Sequence, residues 1–248
     1  MRIKLTVAYD GTNYSGWQIQ PEDTTIELML NKAISDLYRE DIKVTGASRT
    51  DAGVHAMGNV AVFDAPESIQ IPPERIAYAL NVRLPEDIVV VKSEAVAEDF
   101  HPRHCDTRKT YEYSILNQDF PDPKRRLYSH YYRKTLDVEK MRRAAQYLVG
   151  EHDFKSFCSV KTQTETTVRR IYSIEVLQEG SLITIRVQGN GFLYNMVRII
   201  AGTLIEVGNG HFTPETVKEM LECRDRTVSG PTAPPNGLTL VGIEYVQE

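Results

Sequence analysis

The sequence predicts an α+β protein built as two halves, and three patterns carry that prediction. Residues 2–9 alternate Ile3, Leu5, Val7 and Tyr9 with smaller or polar partners, the two-residue period of a half-buried strand. Ile26, Met29, Leu30, Ala33, Ile34 and Leu37 fall instead on the i, i+3, i+4, i+7 stripe of an amphipathic helix. Both kinds of pattern recur on either side of a change in character near residue 100. That places one half at 1–104 and the other at 105–248, each with helices packed on a sheet.

The remaining elements follow in order. Thr24 or Thr25 is placed to cap the first helix. Pro72-Pro73 opens a second, with Ile76, Ala77 and Leu80 on one side. Ile88-Val89-Val90-Val91 reads as a strand buried on both faces. Phe100-His101-Pro102-Arg103-His104-Cys105 is polar and irregular, and strand alternation resumes at Tyr111-Glu112-Tyr113-Ser114-Ile115. Residues 119–126 form a basic excursion containing prolines. Val138, Met141, Ala145 and Leu148 make a helical stripe that Gly150 can end. Residues 168–177 and 182–187 read as strands joined at Glu179-Gly180. Residues 193–207 read as a helix, Thr213-Pro214 opens another through Val217, Met220 and Leu221, and residues 238–245 are a last strand.

Composition narrows the class. A hydrophobic share of 41% with 25% charged residues is that of an ordinary globular protein. Met1 to Leu5 is not the start of a secretory signal, and no run reaches the ~18 apolar residues of a membrane span, so the expectation is a cytoplasmic protein without a membrane partner. Cys105, Cys158 and Cys223 are odd in number and widely spaced, which suggests reduced thiols. The net charge of -5 is unevenly spread: residues 101–143 hold eleven Lys or Arg against six Asp or Glu, an excess of +5, which leaves -10 on the rest. Local basic surface, not overall charge, sets a phosphate footprint.

Ser48-Arg49-Thr50-Asp51-Ala52-Gly53-Val54-His55-Ala56 is the densest chemical stretch, a loop between two expected strands. It offers a guanidinium, a carboxylate, an imidazole and two hydroxyls, with Gly53 to permit a tight backbone. It can equally be a polar turn capped by Asp51. Trp17, the only tryptophan, anchors its loop on the core or stacks on a ligand. Arg198 is ringed by Met196, Val197, Ile199, Ile200, Ala201 and Leu204, so its charge needs a carboxylate, for which Asp51 is the candidate across a cleft between the halves, or it snorkels to the helix edge. Asp51 with His55 could form a hydrolase dyad; His101, His104 and Cys105 lie close together but lack a further cluster to close a metal site. Gly189-Asn190-Gly191 has the start of a phosphate loop without its lysine.

Six co-linear segments resemble the tRNA pseudouridine synthase A family. They are Tyr9-Asp10-Gly11 with Tyr14-Ser15-Gly16-Trp17-Gln18, then Arg49-Thr50-Asp51-Ala52-Gly53-Val54-His55-Ala56, Lys109-Thr110-Tyr111-Glu112-Tyr113, Gly150-Glu151-His152-Asp153-Phe154, Gly191-Phe192-Leu193-Tyr194-Asn195-Met196-Val197-Arg198 and Ala233-Pro234-Pro235-Asn236-Gly237-Leu238. Ile26-Glu27-Leu28 departs from that family's usual V-Q-G, and Pro102, His104 and Cys105 depart from its F-H-A-R-F-S.

The resemblance implies a pseudouridine synthase fold, with mostly antiparallel sheets flanked by helices and a catalytic cleft between the halves. It implies conversion of uridine to pseudouridine at positions 38, 39 and 40 in the anticodon stem-loop of tRNA, with no cofactor. Asp51 would be the catalytic carboxylate, Tyr111 would stack on the detached uracil and take a proton, Arg198 would hold Asp51 ionised, and Arg49 would support the flipped nucleotide. A homodimer with tRNA bridging both subunits is implied too. Lys109, Lys124, Arg125, Arg126, Arg142, Arg143, Arg169 and Arg170 are the candidate RNA contacts. An RNA-binding protein without catalysis is the rival class.

Overall fold

In the computed structural model, which describes residues 1–159 and 164–246, the alternating opening segment forms β1 (Arg2–Tyr9). Its Ile3, Leu5 and Val7 are fully buried, as the period requires. Thr25 takes extended backbone and its hydroxyl accepts from Leu28 N at 3.4 Å, capping α1 (Ile26–Tyr38). Ile26, Leu30 and Ile34 turn inward from that helix, and Arg39 ends it in the left-handed region. The strand expected around Ile42 and Val44 shrinks to β2 (Thr45–Gly46), although both side chains are buried. β3 (His55–Asp64), α2 (Pro73–Asn81) and β4 (Ile88–Val96) follow.

The chain divides into two compact units, Met1–Asp106 with the segment from Leu240 onward, and Thr107–Thr239. In the first, the strand order is β4-β1-β3 and then the closing strand Leu238–Tyr245, with β2 on β3. β1 is antiparallel to both neighbours, Leu5 facing Ala61 on one side and Ser93 on the other. One expectation is corrected here. β4 is not buried on both faces: Ile88 and Val90 are covered, while Val89 and Val91 are 40% and 55% exposed. β4 ends the strand order of its unit, and a run of branched residues does not reveal whether one or two faces will be covered.

The second unit contains β5 (Thr107–Asn117), β6 (His130–Tyr132), α3 (Val138–Gln146), β7 (Gly150–Asp153), β8 (Val168–Glu179), β9 (Leu182–Gly189), α4 (Met196–Gly208) and α5 (Thr216–Cys223). Its strands run β5-β9-β8-β7, antiparallel throughout, and β6 lies parallel on β5. Gly180, with φ of 58°, makes the expected turn between β8 and β9. Asp137 caps α3 by accepting from Lys140 N at 3.0 Å. That helix stops before Leu148, and Gly150 opens β7 rather than capping the helix. α4 begins at Met196, three residues later than the apolar run suggests, because Asn195 sits in the left-handed region. Eleven of its thirteen residues are buried, which makes it the core helix of this unit. The closing strand Leu238–Tyr245 is β10. Among the described residues no helix is long and apolar enough to cross a membrane.

Candidate active site

Asp51 opens a tight turn. Its carbonyl accepts from Val54 N at 3.1 Å, and Gly53, the third residue, has φ of 77°, where a side chain would be strained. The turn connects β2 to β3, and a second loop, residues 10–17, clasps it. Trp17 N donates to Thr50 O at 3.0 Å and Gly53 N to Tyr14 O at 3.3 Å. Gly11 passes so near that a β-carbon there would lie 2.0 Å from Val54 O. Asp51 itself is half-buried and Arg49 exposed.

Side chains complete the clasp. Trp17 is fully buried, so it anchors its loop in the core and does not offer a stacking surface; its indole nitrogen is buried with no hydrogen-bond partner among the described residues. Tyr14 reaches Asp87 at 2.5 Å, and burial together with that carboxylate pushes its hydroxyl pKa up. His55 opens β3 and is buried; its Nδ1 lies 3.1 Å from both Gly11 N and Asp10 Oδ1, and serves one of them at a time. The imidazole thereby ties the two loops together. Tyr9 and Asn59 belong to the same assembly: Tyr9 Oη lies 2.7 Å from Thr50 Oγ1 and 3.2 Å from Asn59 Nδ2, which also donates to Ser48 O at 3.0 Å.

Arg103 keeps the arginine of the F-H-A-R-F-S pattern, yet the sequence gives it no role. Its Nε donates to Gly46 O at 2.6 Å, beside the start of the Asp51 loop. Burial, and then the like charge of Arg49, lower its pKa. Two guanidinium groups thus stand near one another in the first unit. His101 and His104 stack 3.7 Å apart, and Cys105 Sγ contacts His101 O at 3.4 Å. Among the described residues no group of three His, Cys, Asp or Glu side chains is arranged to hold a metal ion.

In the second unit Tyr111 lies on β5 opposite Val187, buried, with its ring edge-on to Phe192 at 5.2 Å. Lys109 stands opposite Gly189 on the same strand. Arg198, on the first turn of α4, is part-buried: Nε donates to Ala233 O and Nη1 to Asn195 Oδ1, each at 2.8 Å. Tyr113 Oη donates to Pro234 O at 2.9 Å, and burial pushes this hydroxyl's pKa up while the Arg198 cation pulls the other way. Arg198 and Tyr113 therefore fasten the Ala233-Pro234 segment. Asn190 corrects the phosphate-loop expectation. It exchanges hydrogen bonds with Arg170 at the end of β9, well short of the start of α4, so no helix N-terminus follows it directly.

The remaining basic candidates are spread over three further regions. Lys124, Arg125 and Arg126 lie in the segment between β5 and β6, with local bonds from Lys124 N to Asp122 Oδ1 at 2.9 Å and from Arg126 Nη1 to Pro123 O at 2.9 Å. Arg142 and Arg143 are on α3, where Arg142 donates to Val176 O at 2.8 Å and pairs with Glu139. On β8, Arg169 bonds Thr166 O and Val168 O, and Arg170 lies 3.5 Å from Glu151. Asn236 holds the first group in place through Nδ2, which donates to Arg126 O at 3.0 Å and Ser129 O at 2.8 Å.

Similarity to known proteins makes this α+β chain an enzyme. The chain belongs to the tRNA pseudouridine synthase family, an isomerase family whose model matches residues 5–104 and 144–246. Its relatives agree along their whole length. It is 44% identical over 247 residues to the tRNA pseudouridine synthase A of Bacillus pumilus (strain SAFR-032), covering 99% of both chains. It is 46% identical over 243 residues to tRNA pseudouridine synthase A 2 of Clostridium perfringens, covering 98% of this chain and 99% of that one. The corresponding Ruminiclostridium cellulolyticum protein is 48% identical over 245 residues, 98% of this chain and 99% of its own.

Proposed function

We propose that this chain isomerises uridine to pseudouridine at positions 38, 39 and 40 of the tRNA anticodon stem-loop, with Asp51 as the catalytic carboxylate. The observation that supports this reading is the clasped turn that presents Asp51, in a chain similar end to end to proteins named tRNA pseudouridine synthase A. The reaction breaks the N1–C1′ bond and forms C5–C1′; the proton leaves C5 and N1 gains one. A stacked uridine must first leave the helix, and Arg49 supports the extruded nucleotide. Asp51 serves as nucleophile at C1′, as nucleophile at C6, or as the base for elimination to a glycal. Tyr111 stacks on the freed uracil and takes the C5 proton. Arg198 is assigned to keep Asp51 ionised, the effect a cation has on a carboxylate it pairs with.

The change is redox-neutral and transfers no group from a donor, so the reaction needs no cofactor. Lys109, Lys124, Arg125, Arg126, Arg142, Arg143, Arg169 and Arg170 supply contacts to the RNA backbone, and two copies of the chain hold one tRNA between them. Work on tRNA places the protein in the cytoplasm. Incubation with unmodified tRNA followed by mapping of pseudouridine tests the proposal. Modification at 38–40 that disappears in Asp51→Asn is expected; pseudouridine elsewhere, or none, overturns it.

A further inference from the structure

Two buried polar side chains, those of Tyr9 and Asn59, converge on residues that precede Asp51. Asn59 is fully buried, and Tyr9, Ser48 and Thr50 nearly so. Ser48 O is a carbonyl and can only accept, so the group of Asn59 that faces it at 3.0 Å is the amide NH2. Asn59 Oδ1 agrees, accepting from Val60 N at 2.9 Å. The second NH2 proton points at Tyr9 Oη, 3.2 Å away, so the tyrosine oxygen accepts there. The same oxygen lies 2.7 Å from Thr50 Oγ1, a hydrogen bond between two hydroxyls in which either can donate. Asn59 thereby fixes Ser48 directly and Thr50 through Tyr9, on the N-terminal side of Asp51.

We propose that Tyr9 and Asn59 are positioning residues for the Asp51 carboxylate, acting through these hydrogen bonds to Ser48 and Thr50. The inference deepens the proposed function and rests on Asp51 being its catalytic group. A tyrosine serving only to fill the core would use its ring alone, and phenylalanine would fill the same space. The hydroxyl is instead spent on the loop. A register irregularity between Val7 and Tyr9, where β1 pairs with β3, falls beside the residue whose side chain reaches Thr50. Thr50 is held again on its main chain by Trp17 N, so side chain and backbone of the residue before Asp51 are both constrained. Asp51 is thus set by neighbours that need not touch substrate.

The test is Tyr9→Phe, measured beside Thr50→Val, Thr50→Ser and Asp51→Asn. Tyr9→Phe is expected to lower kcat by about 10- to 100-fold, the scale of a small misplacement of a reacting group. KM for tRNA should stay within about threefold and the melting temperature near wild type, because the ring remains. Thr50→Val should reproduce the loss, Thr50→Ser should restore most of the rate, and the Tyr9→Phe/Thr50→Val double variant should be no slower than either single one. Wild-type kcat in Tyr9→Phe overturns the inference, as does a loss explained by the unfolded fraction or one that adds in the double variant. If Asp51→Asn is inactive while Tyr9→Phe is normal, only the positioning role fails. If Asp51→Asn remains active, the catalytic reading fails first.

Discussion

The Asp51 loop and the basic segment at 118–129 are both polar connections between strands, and they are built oppositely. The first is gripped from a neighbouring loop by main-chain hydrogen bonds, a glycine in near contact and buried side chains. The second is held mostly by short-range bonds, such as Arg125 N to Asp122 O and Tyr128 N to Arg125 O at 3.0 Å each and Tyr131 Oη to Asp119 O at 2.7 Å, with Asn236 Nδ2 reaching in from far along the chain. Phe120 and Tyr128 there are 78% and 52% exposed. A group that reacts must be placed before substrate arrives, whereas a group that meets a phosphate can adjust as it binds. Changes in the first loop should therefore lower kcat, and changes in the second should alter KM and salt dependence.

The largest effect is expected at Asp51. Asp51→Asn should abolish pseudouridine formation and leave tRNA binding close to wild type, as measured by filter binding. Turnover near the wild-type rate would remove the distinction between the two loops altogether. Tyr111→Phe comes next: if its hydroxyl moves a proton, turnover falls about 10²–10⁴-fold with binding nearly unchanged. Its ring is buried beside Phe192, so a normal rate in the phenylalanine variant would leave it a packing residue.

Gly11→Ala sharpens the comparison through the backbone. The added methyl would meet Val54 O at 2.0 Å, so one loop has to move off the other. Overpacking of this kind costs about 1–3 kcal/mol, which thermal melting should register alongside a fall in kcat. An alanine variant with unchanged stability and rate would show that the clasp is looser than its geometry. In the basic segment, replacing Lys124, Arg125 and Arg126 together by alanine should leave kcat at saturating tRNA intact. The log–log slope of affinity against salt should become shallower by roughly 0.7–0.9 for each phosphate that the variant no longer neutralises. A lower kcat with an unchanged slope would contradict the division of labour.

The smallest effect is a pH dependence at the strand that follows the basic segment. Half-buried His130, on β6, has its pKa lowered from the ordinary 6.5 by desolvation. The unfolded chain then takes up a proton at a pH where the folded one does not, so stability is present above about 6.5 and declines as pH falls below it. Denaturant titrations of His130→Gln should show a weaker decline over that window. An unchanged pH profile would mean the imidazole is not responsible.

The sequence by itself determines those elements in which one short-range rule dominates. The period of two specifies β1, the helical stripe with its threonine cap specifies α1, and Glu179-Gly180 marks the turn between β8 and β9. The dense polar stretch around Asp51 announces itself because its side chains are reactive types set close together. Where partners come from far along the chain, the sequence is silent. Val89 and Val91 are exposed because no described residue covers that face of β4, and the strand around Ile42 and Val44 is mostly irregular despite its apolar residues. The closing strand lies beside β3, and its course from Leu240 belongs with the first unit. Asn59 is the sharpest instance. In the sequence it is a lone amide among Met57, Gly58, Val60 and Val62, with no pattern to set it apart. Only folding brings Ser48 O and the Tyr9 hydroxyl within reach of its NH2, because a hydrogen bond is specified by the position of both partners and a local pattern supplies only one.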